Sequence, residues 1–261
     1  MKIRSPVLVT YGGGVNSTAL LVEMVKRSDP VDAIVFSDTG GETPLTYSYL
    51  EMFSGWLTAR DYPSVTTVRY RTKEGIEQTL EENCRAWPRL PSIAYGFKTC
   101  SDRWKRRPQH NWCKAWPRAV DAWDQGRKVE KIIGYDADEP HRADRVSDDR
   151  RYRHRFPLIE WDMGREECTD SIRSQGLPVP PKSSCFFCPS MRKSEVLALA
   201  KNHPDLMARA LDMESAAQTR GAIRGLGRDW AWSELLEADD RQQRLFIDPE
   251  GPPCGCWDGG E

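Results

Sequence analysis

The chain has 261 residues, with 38 Lys+Arg against 39 Asp+Glu for a formal net charge of −1, and 39% of it is hydrophobic. Its mean hydropathy is −0.66, and no apolar run approaches the ~18 residues of a spanning helix, so a helical membrane protein is excluded. Ten tryptophans spread along the chain argue against disorder, no repeat is visible, and the balanced charge selects no partner class.

In chain order, Val7–Thr10 is the first β-type run, flanked by Pro6 and Gly12. It is too short for a signal-peptide core, so a cytoplasmic location is predicted. After a glycine turn, Leu20, Leu21, Met24 and Val25 recur at helical spacing within Ser17–Arg27. Ala33–Phe36 is a second apolar run, followed by a helical pattern over Pro44–Trp56. Val65–Tyr70 and Lys131–Gly134 are the third and fourth. Unalternating apolar strands between helices predict an α/β fold: a doubly wound, mostly parallel sheet covered on both faces. Ligands of such sheets sit at the carboxyl ends of the strands, so loops 11–17, 37–43 and 134–142 are expected neighbours. A helix over Glu166–Ser174 precedes a Pro-rich stretch and the Cys185/Cys188 loop, and Ser194–Lys201 and Pro204–Thr219 read as helices. The Gly- and Pro-rich end reads as a tail, ordered only if docked. The expected division is a nucleotide-binding domain over 1–195 and a helical region with a cysteine-containing tail over 196–261.

The loop Tyr11-Gly12-Gly13-Gly14-Val15-Asn16-Ser17-Thr18 joins a strand to a helix. Its glycines allow positive φ and close approach to a ligand. The amides at the helix start face an anion, and the Asn16 amide and the Ser17 and Thr18 hydroxyls add donors. A phosphate-bearing ligand follows; the alternative is a tight turn with a helix cap. No lysine is present for a Walker A loop, and a dinucleotide fingerprint would want glycine at Ser17, with Asp38 as the ribose acid.

Gly13-Gly14-Val15-Asn16-Ser17 resembles the PP-loop, S-G-G-x-D-S, of adenine nucleotide α-hydrolases, which include ATP pyrophosphatases and sulfonucleotide (PAPS/APS) reductases. Other segments are similar to reductase motifs in the same order. Ser37–Pro44 resembles D-T-G-x-x-x-P-E/T, and Cys100–Pro108 resembles C-x-x-x-K-x-x-P. Gly134–Arg142 is similar to G-x-R-x-x-E-S-x-x-R, Phe156–Trp161 to N-P-L-x-x-W, and Cys185–Pro189 to C-x-x-C-P. The resemblance spans about residues 5–195. It departs at Gly12, in place of the first serine, at Asn16, in place of the loop aspartate, and at Thr99-Cys100, where cluster-bearing members have Cys-Cys. The resemblance implies an adenine nucleotide held by Gly12, Gly13, Gly14, Asn16, Ser17, Thr18 and Asp38, with Lys105 and Arg142 as clamps on phosphate or sulfate.

Eight cysteines without an export signal are not a disulfide framework. Single thiols are ordinarily buried or idle, but Cys185-x-x-Cys188 and Cys254-x-Cys256 are paired spacings. Cys100, Cys185 and Cys188, if brought together, suit a soft metal. The resemblance implies a [4Fe–4S] cluster, with structural zinc or free thiols as alternatives and Cys84, Cys254 or Cys256 as fourth ligand. Cys168 reads as packing, and Cys113 is set too far along its helix from Cys100. Pro253-Cys254-Gly255-Cys256 resembles the tail E-C-G-x-H of the reductases. That implies Cys254 as the nucleophile on sulfate sulfur, with a second thiol as reductant; the alternative is a tail metal ligand.

Lys98–Arg118 carries seven Lys/Arg against Asp102, interleaved with Trp104, Trp112 and Trp116, and Arg142–Arg155 is a second basic stretch. These read as phosphate clamps, as a nucleic-acid surface, or as a solvated face over core tryptophans. The leading expectation is a PAPS reductase-like enzyme acting on an adenylyl sulfate. The alternatives are an ATP pyrophosphatase that adenylylates a nucleic acid for sulfur or nitrogen insertion, with Mg²⁺ on Asp38, and a non-catalytic nucleotide- or nucleic-acid-binding module.

Overall fold

The computed structural model describes residues 4–97, 99–221 and 223–247. Its sheet is built from β1 (Val7–Tyr11), β2 (Ala33–Asp38), β3 (Val65–Arg69), β4 (Val129–Ile133) and β5 (Tyr152–Arg155). The order is β3-β2-β1-β4-β5, and every pairing is parallel. This is the doubly wound α/β architecture expected from the apolar runs.

Successive side chains of a strand point to opposite faces, and both faces here are covered. Val9, Tyr11, Ile34 and Phe36 share one layer with Leu20 and Leu21 of α1 (Val15–Lys26) and Phe53 and Leu57 of α2 (Pro44–Thr58). The chain then passes through β3 and α3 (Leu80–Ala86) to the opposite layer. There Leu8, Val35 and Val129 pack with Cys113 of α4 (Arg107–Ala115) and Ala119 of α5 (Pro117–Asp124). α6 (Arg165–Ser174) returns to the first layer through Cys168 and Ile172. Every residue of β2 is buried, which is why its sequence reads as an unbroken apolar run.

The chain winds outward from β1 through β2 to β3, then returns to the other side of β1 as β4. The reversal between β1 and β4 is the topological switch point, where a crevice opens at the carboxyl ends.

Two elements escape the sequence reading. β5 is Tyr-Arg-His-Arg, with only Tyr152 buried; an edge strand half-covered by protein needs no apolar run. A helix over Trp232–Ile247 was not expected. β4 starts two residues earlier than expected, at Val129, and ends at Ile133, leaving Gly134 outside the strand.

The described chain divides into two compact units, Met1–Ala86 with Lys98–Phe186, and Trp87–Phe97 with Phe187–Glu261. One boundary between the units falls at Phe186/Phe187. The second unit holds α7 (Lys193–Asn202), α8 (Pro204–Gln218) and α9 (Trp232–Ile247). Leu90, Phe187, Met207, Met213, Leu226 and Trp232 are buried in it. No described helix is long and apolar enough to cross a membrane.

Candidate nucleotide site

The corner after β1 begins at Gly12, and Gly13 takes φ +72°, a conformation that costs glycine little. A Cβ there would meet Phe36 and Ser183 at 3.4 Å. Gly14 precedes α1 with extended backbone and no side-chain cap, so the first amides of α1 lack intrahelical partners. This is the anion-binding arrangement expected of a strand–glycine–helix corner.

The side chains are arranged otherwise than expected. Ser17 Oγ accepts from Gly12 N at 3.1 Å and donates to the Gly14 carbonyl at 3.1 Å. Thr18 Oγ1 lies 3.0 Å from the Tyr11 hydroxyl and is fully buried. Both hydroxyls therefore shape the corner and do not face a ligand. Asn16 is held at both ends: its Nδ2 donates to Asp136 Oδ2 at 2.6 Å, and its Oδ1 accepts from Arg165 Nη1 at 2.8 Å.

Asp136 stands just beyond β4. It is 3% exposed, and its Oδ1 is buried with no hydrogen-bond partner. Burial, with Glu139 and Asp138 close by, pushes its carboxyl above the ordinary range, against the Asn16 hydrogen bond. Gly134 allows this approach. A Cβ on it would lie 2.9 Å from Ser17 Cα, so only glycine lets the end of β4 touch the start of α1. The expected proximity of loops 11–17 and 134–142 is thereby borne out.

A second buried acid is Glu42. Its Oε2 accepts from Ser183 Oγ at 3.1 Å, Lys105 Nζ stands 4.0 Å from Oε1, and Oε1 has no hydrogen-bond partner. Burial drives this carboxyl up, and Lys105 opposes the shift. Lys105 sits on a π-helical turn, Asp102–Arg106, whose Lys105 carbonyl accepts from Ser37 Oγ at 2.8 Å. The Ser183 contact ties Glu42 to the Gly13 corner, so all three loops meet.

Asp38 is held by four protein donors. Its Oδ1 accepts from Gly40 N at 2.7 Å and Tyr47 Oη at 2.8 Å. Its Oδ2 accepts from Arg69 Nε at 2.9 Å and Nη2 at 2.7 Å. Two donors on each oxygen occupy the carboxylate's acceptor positions. Asp38 borders, with Phe36, Tyr47, Arg69, Pro108 and Trp112, a cavity of about 650 Å³, within the size range of small-molecule sites.

Arg142 is likewise engaged. It pairs with Glu139 at 2.6 Å, and its guanidinium lies 4.2 Å from the Tyr135 ring centre. The basic stretch around residues 103–118 is largely tied down. Arg103 lies over Tyr70 and Trp104, Arg106 and Arg107 face Asp102, and Arg118 pairs with Asp32. Trp104 is buried, and Trp112 and Trp116 stack on each other against the core. Trp104 packs the fold, and Trp112 and Trp116 are partly buried against it, Trp112 also bordering the cavity beside Phe36.

Cys185 is buried with Sγ 3.0 Å from Thr39 Oγ1, Cys100 is half-buried in the turn Thr99–Ser101, and Cys188 belongs to the second unit. Among the described residues no group of three or more His, Cys, Asp or Glu side chains is placed to hold a metal ion. Cys100 and Cys185, both in the first unit, belong to no such group. Cys84, Cys113 and Cys168 are buried. Cys168 packs in the core, with burial as the main cause pushing its thiol up to about 12. Cys254 and Cys256 lie outside the described residues.

Sequence reasoning did not single out Asp136, Glu42, Ser183, Arg165 or Arg69. Asp136 and Glu42 do fall within the segments that carry the family resemblance, which is the signal that marks their loops.

No protein-family model matches the chain, and no curated protein is similar to it. A solved structure similar to it is a U34-tRNA thiolase, NcsA from Methanococcus maripaludis with its [4Fe-4S] cluster. The two are 12% identical over 83% of this chain and 74% of that chain, with a TM-score of 0.45.

Proposed function

We propose that this chain is an ATP-binding enzyme that cleaves ATP between the α- and β-phosphates and transfers the adenylyl group to a nucleic-acid acceptor. The observation carrying this reading is Asp136, a buried carboxylate hydrogen-bonded to the phosphate-binding corner with one oxygen unpartnered. A negative charge there repels a bare sulfonucleotide but suits a polyphosphate that arrives with a divalent cation. Asp138 and Glu139 follow it, and the neighbouring Arg142 is paired with Glu139.

In this reading the amides at the start of α1 hold the phosphates and the cavity beside Phe36 holds the adenosine. Mg²⁺ enters as part of the substrate, and Asp136 is the residue that would hold it. An acceptor oxygen attacks the α-phosphorus, the bond to the bridging oxygen breaks, and pyrophosphate leaves. Lys105, the ammonium nearest Glu42, offsets charge on the phosphates as the bond breaks.

The test is a paired assay of the full chain. Pyrophosphate release from ATP, stimulated by DNA or RNA, is the expected result. Sulfite release from an adenylyl sulfate, or no ATP binding at millimolar concentration, overturns the reading.

A further inference from the structure

Trp104 is buried, and Trp112 and Trp116 are partly buried against the core. A more exposed aromatic surface exists in the second unit. A cavity of about 470 Å³ lies between Tyr95–Phe97 and a loop carrying Arg224, Arg228 and Asp229. Tyr95 is 45% and Phe97 66% exposed, high for aromatic side chains.

Both sides of this cavity are built, not loose. The turn Ser92–Tyr95 ends at Gly96 with φ +85°, which sets two aromatic residues on either side of a glycine. The Tyr95 hydroxyl accepts from Leu90 N at 3.2 Å, anchoring that ring. Opposite, Arg228 is held at φ +68°, a left-handed conformation costing a non-glycine residue roughly 1–2 kcal/mol. Glu214, 1% exposed, enforces it. Its Oε2 accepts from Leu226 N at 2.7 Å and Trp232 N at 2.9 Å, and its Oε1 from Ser233 N at 3.0 Å and Ser233 Oγ at 2.9 Å. The loop is also close-packed: a Cβ at Gly225 would lie 2.5 Å from Ala231 Cα, and one at Gly227 would overlap the Trp230 ring. Arg228 Nη2 consequently reaches to 3.8 Å from where a Gly96 Cβ would stand, over the backbone between the two rings.

We propose that this face binds single-stranded nucleic acid, an unstacked base packing on Tyr95 and Phe97 and backbone phosphate on Arg228, with Arg224, which pairs with Glu234 at 3.3 Å, beside it. Aromatic faces accept any base, and guanidinium forks match phosphate oxygens. An apolar protein partner would strip water from these arginines without replacing it, and a duplex keeps its bases stacked out of reach. The inference supplies a contact surface for the acceptor in the function proposed above and rests on that reading only for the acceptor's class.

The experiment is fluorescence anisotropy of labelled single strands of about 12 nucleotides, as DNA and as RNA, with the matching duplex as a third arm. Expected is binding of one or both single strands, weakened by salt. Tyr95→Ala and Phe97→Ala each lower affinity about five- to 150-fold, whereas Phe97→Tyr restores it. Arg228→Glu reduces the salt slope by about one phosphate contact. Single-strand affinity unchanged in the Tyr95→Ala/Phe97→Ala double variant, with unchanged thermal melting, overturns the proposal. So does self-association lost in that variant without oligonucleotide binding in the wild type, which would make the face a contact between copies. ATP binding by the wild type is read separately. Oligonucleotide binding without ATP binding sinks the proposed function and leaves this surface standing, and the converse sinks the surface alone.

Discussion

Asn16 donates its side-chain amide to the Asp136 carboxylate across 2.6 Å, joining the corner after β1 to the segment after β4. The corner has no acid of its own, so Asn16 positions the nearest one. Arg165 holds the other end of the same amide at 2.8 Å, fixing its orientation. Nitrogen faces the carboxylate and oxygen faces the guanidinium.

Asp136→Asn is expected to weaken Mg²⁺-dependent ATP binding about tenfold or more, the scale of a lost charged contact, while raising stability. The sign follows from the raised carboxyl pKa of Asp136 in the folded chain. The folded state holds that proton more tightly than the unfolded state, so native stability falls as pH rises from the unfolded to the folded pKa. The asparagine variant escapes this cost. Its gain in melting temperature should be present at pH 8 and vanish as pH falls below the ordinary carboxylate range. A variant that loses stability at pH 8 contradicts the assignment.

Gly134→Ala should displace the first turn of α1, because the new methyl meets Ser17 backbone at 2.9 Å. Overpacking of this kind costs about 1–3 kcal/mol. Isothermal titration should show ATP affinity falling with it, and a variant that binds ATP like wild type removes the close approach from the argument.

Asp38→Asn should act on stability first. It leaves the half-exposed Arg69 without its carboxylate and turns an amide toward the donors on Asp38. A loss of about 1–3 kcal/mol is expected in urea unfolding at unchanged slope. If folding is untouched while Mg²⁺ affinity collapses, Asp38 is a metal ligand after all.

Glu214→Gln should destabilise the second unit by about 3 kcal/mol, since four donors converge on this one buried carboxylate. Trp230 and Trp232 fluorescence reports the transition directly. Oligonucleotide binding should weaken in the still-folded variant, because Arg228 loses the loop that holds it at positive φ.

Much of the architecture was legible in residue order. β1 and β2 are covered on both faces, so Val7–Val9 and Ala33–Phe36 are apolar without alternation, and the glycine run before a helical period marks a strand-to-helix corner. β5 was illegible for the complementary reason: an edge strand buries Tyr152 and leaves Arg153 free to be polar. The site divides along the same line. That a glycine corner with helix-start amides follows β1 is a local property, written in the backbone freedom of Gly12–Gly14. Which acid serves it is not local. Asp38 and Asp136 each lie at or just beyond the end of a parallel strand, and nothing in their neighbours along the chain distinguishes them. Asp38 meets Arg69 across the β2–β3 pairing and is saturated; Asp136 meets Asn16, 120 residues away, and keeps an oxygen to spare. Hydrogen-bond saturation depends on who stands opposite in space, and only packing of the folded chain chooses that partner.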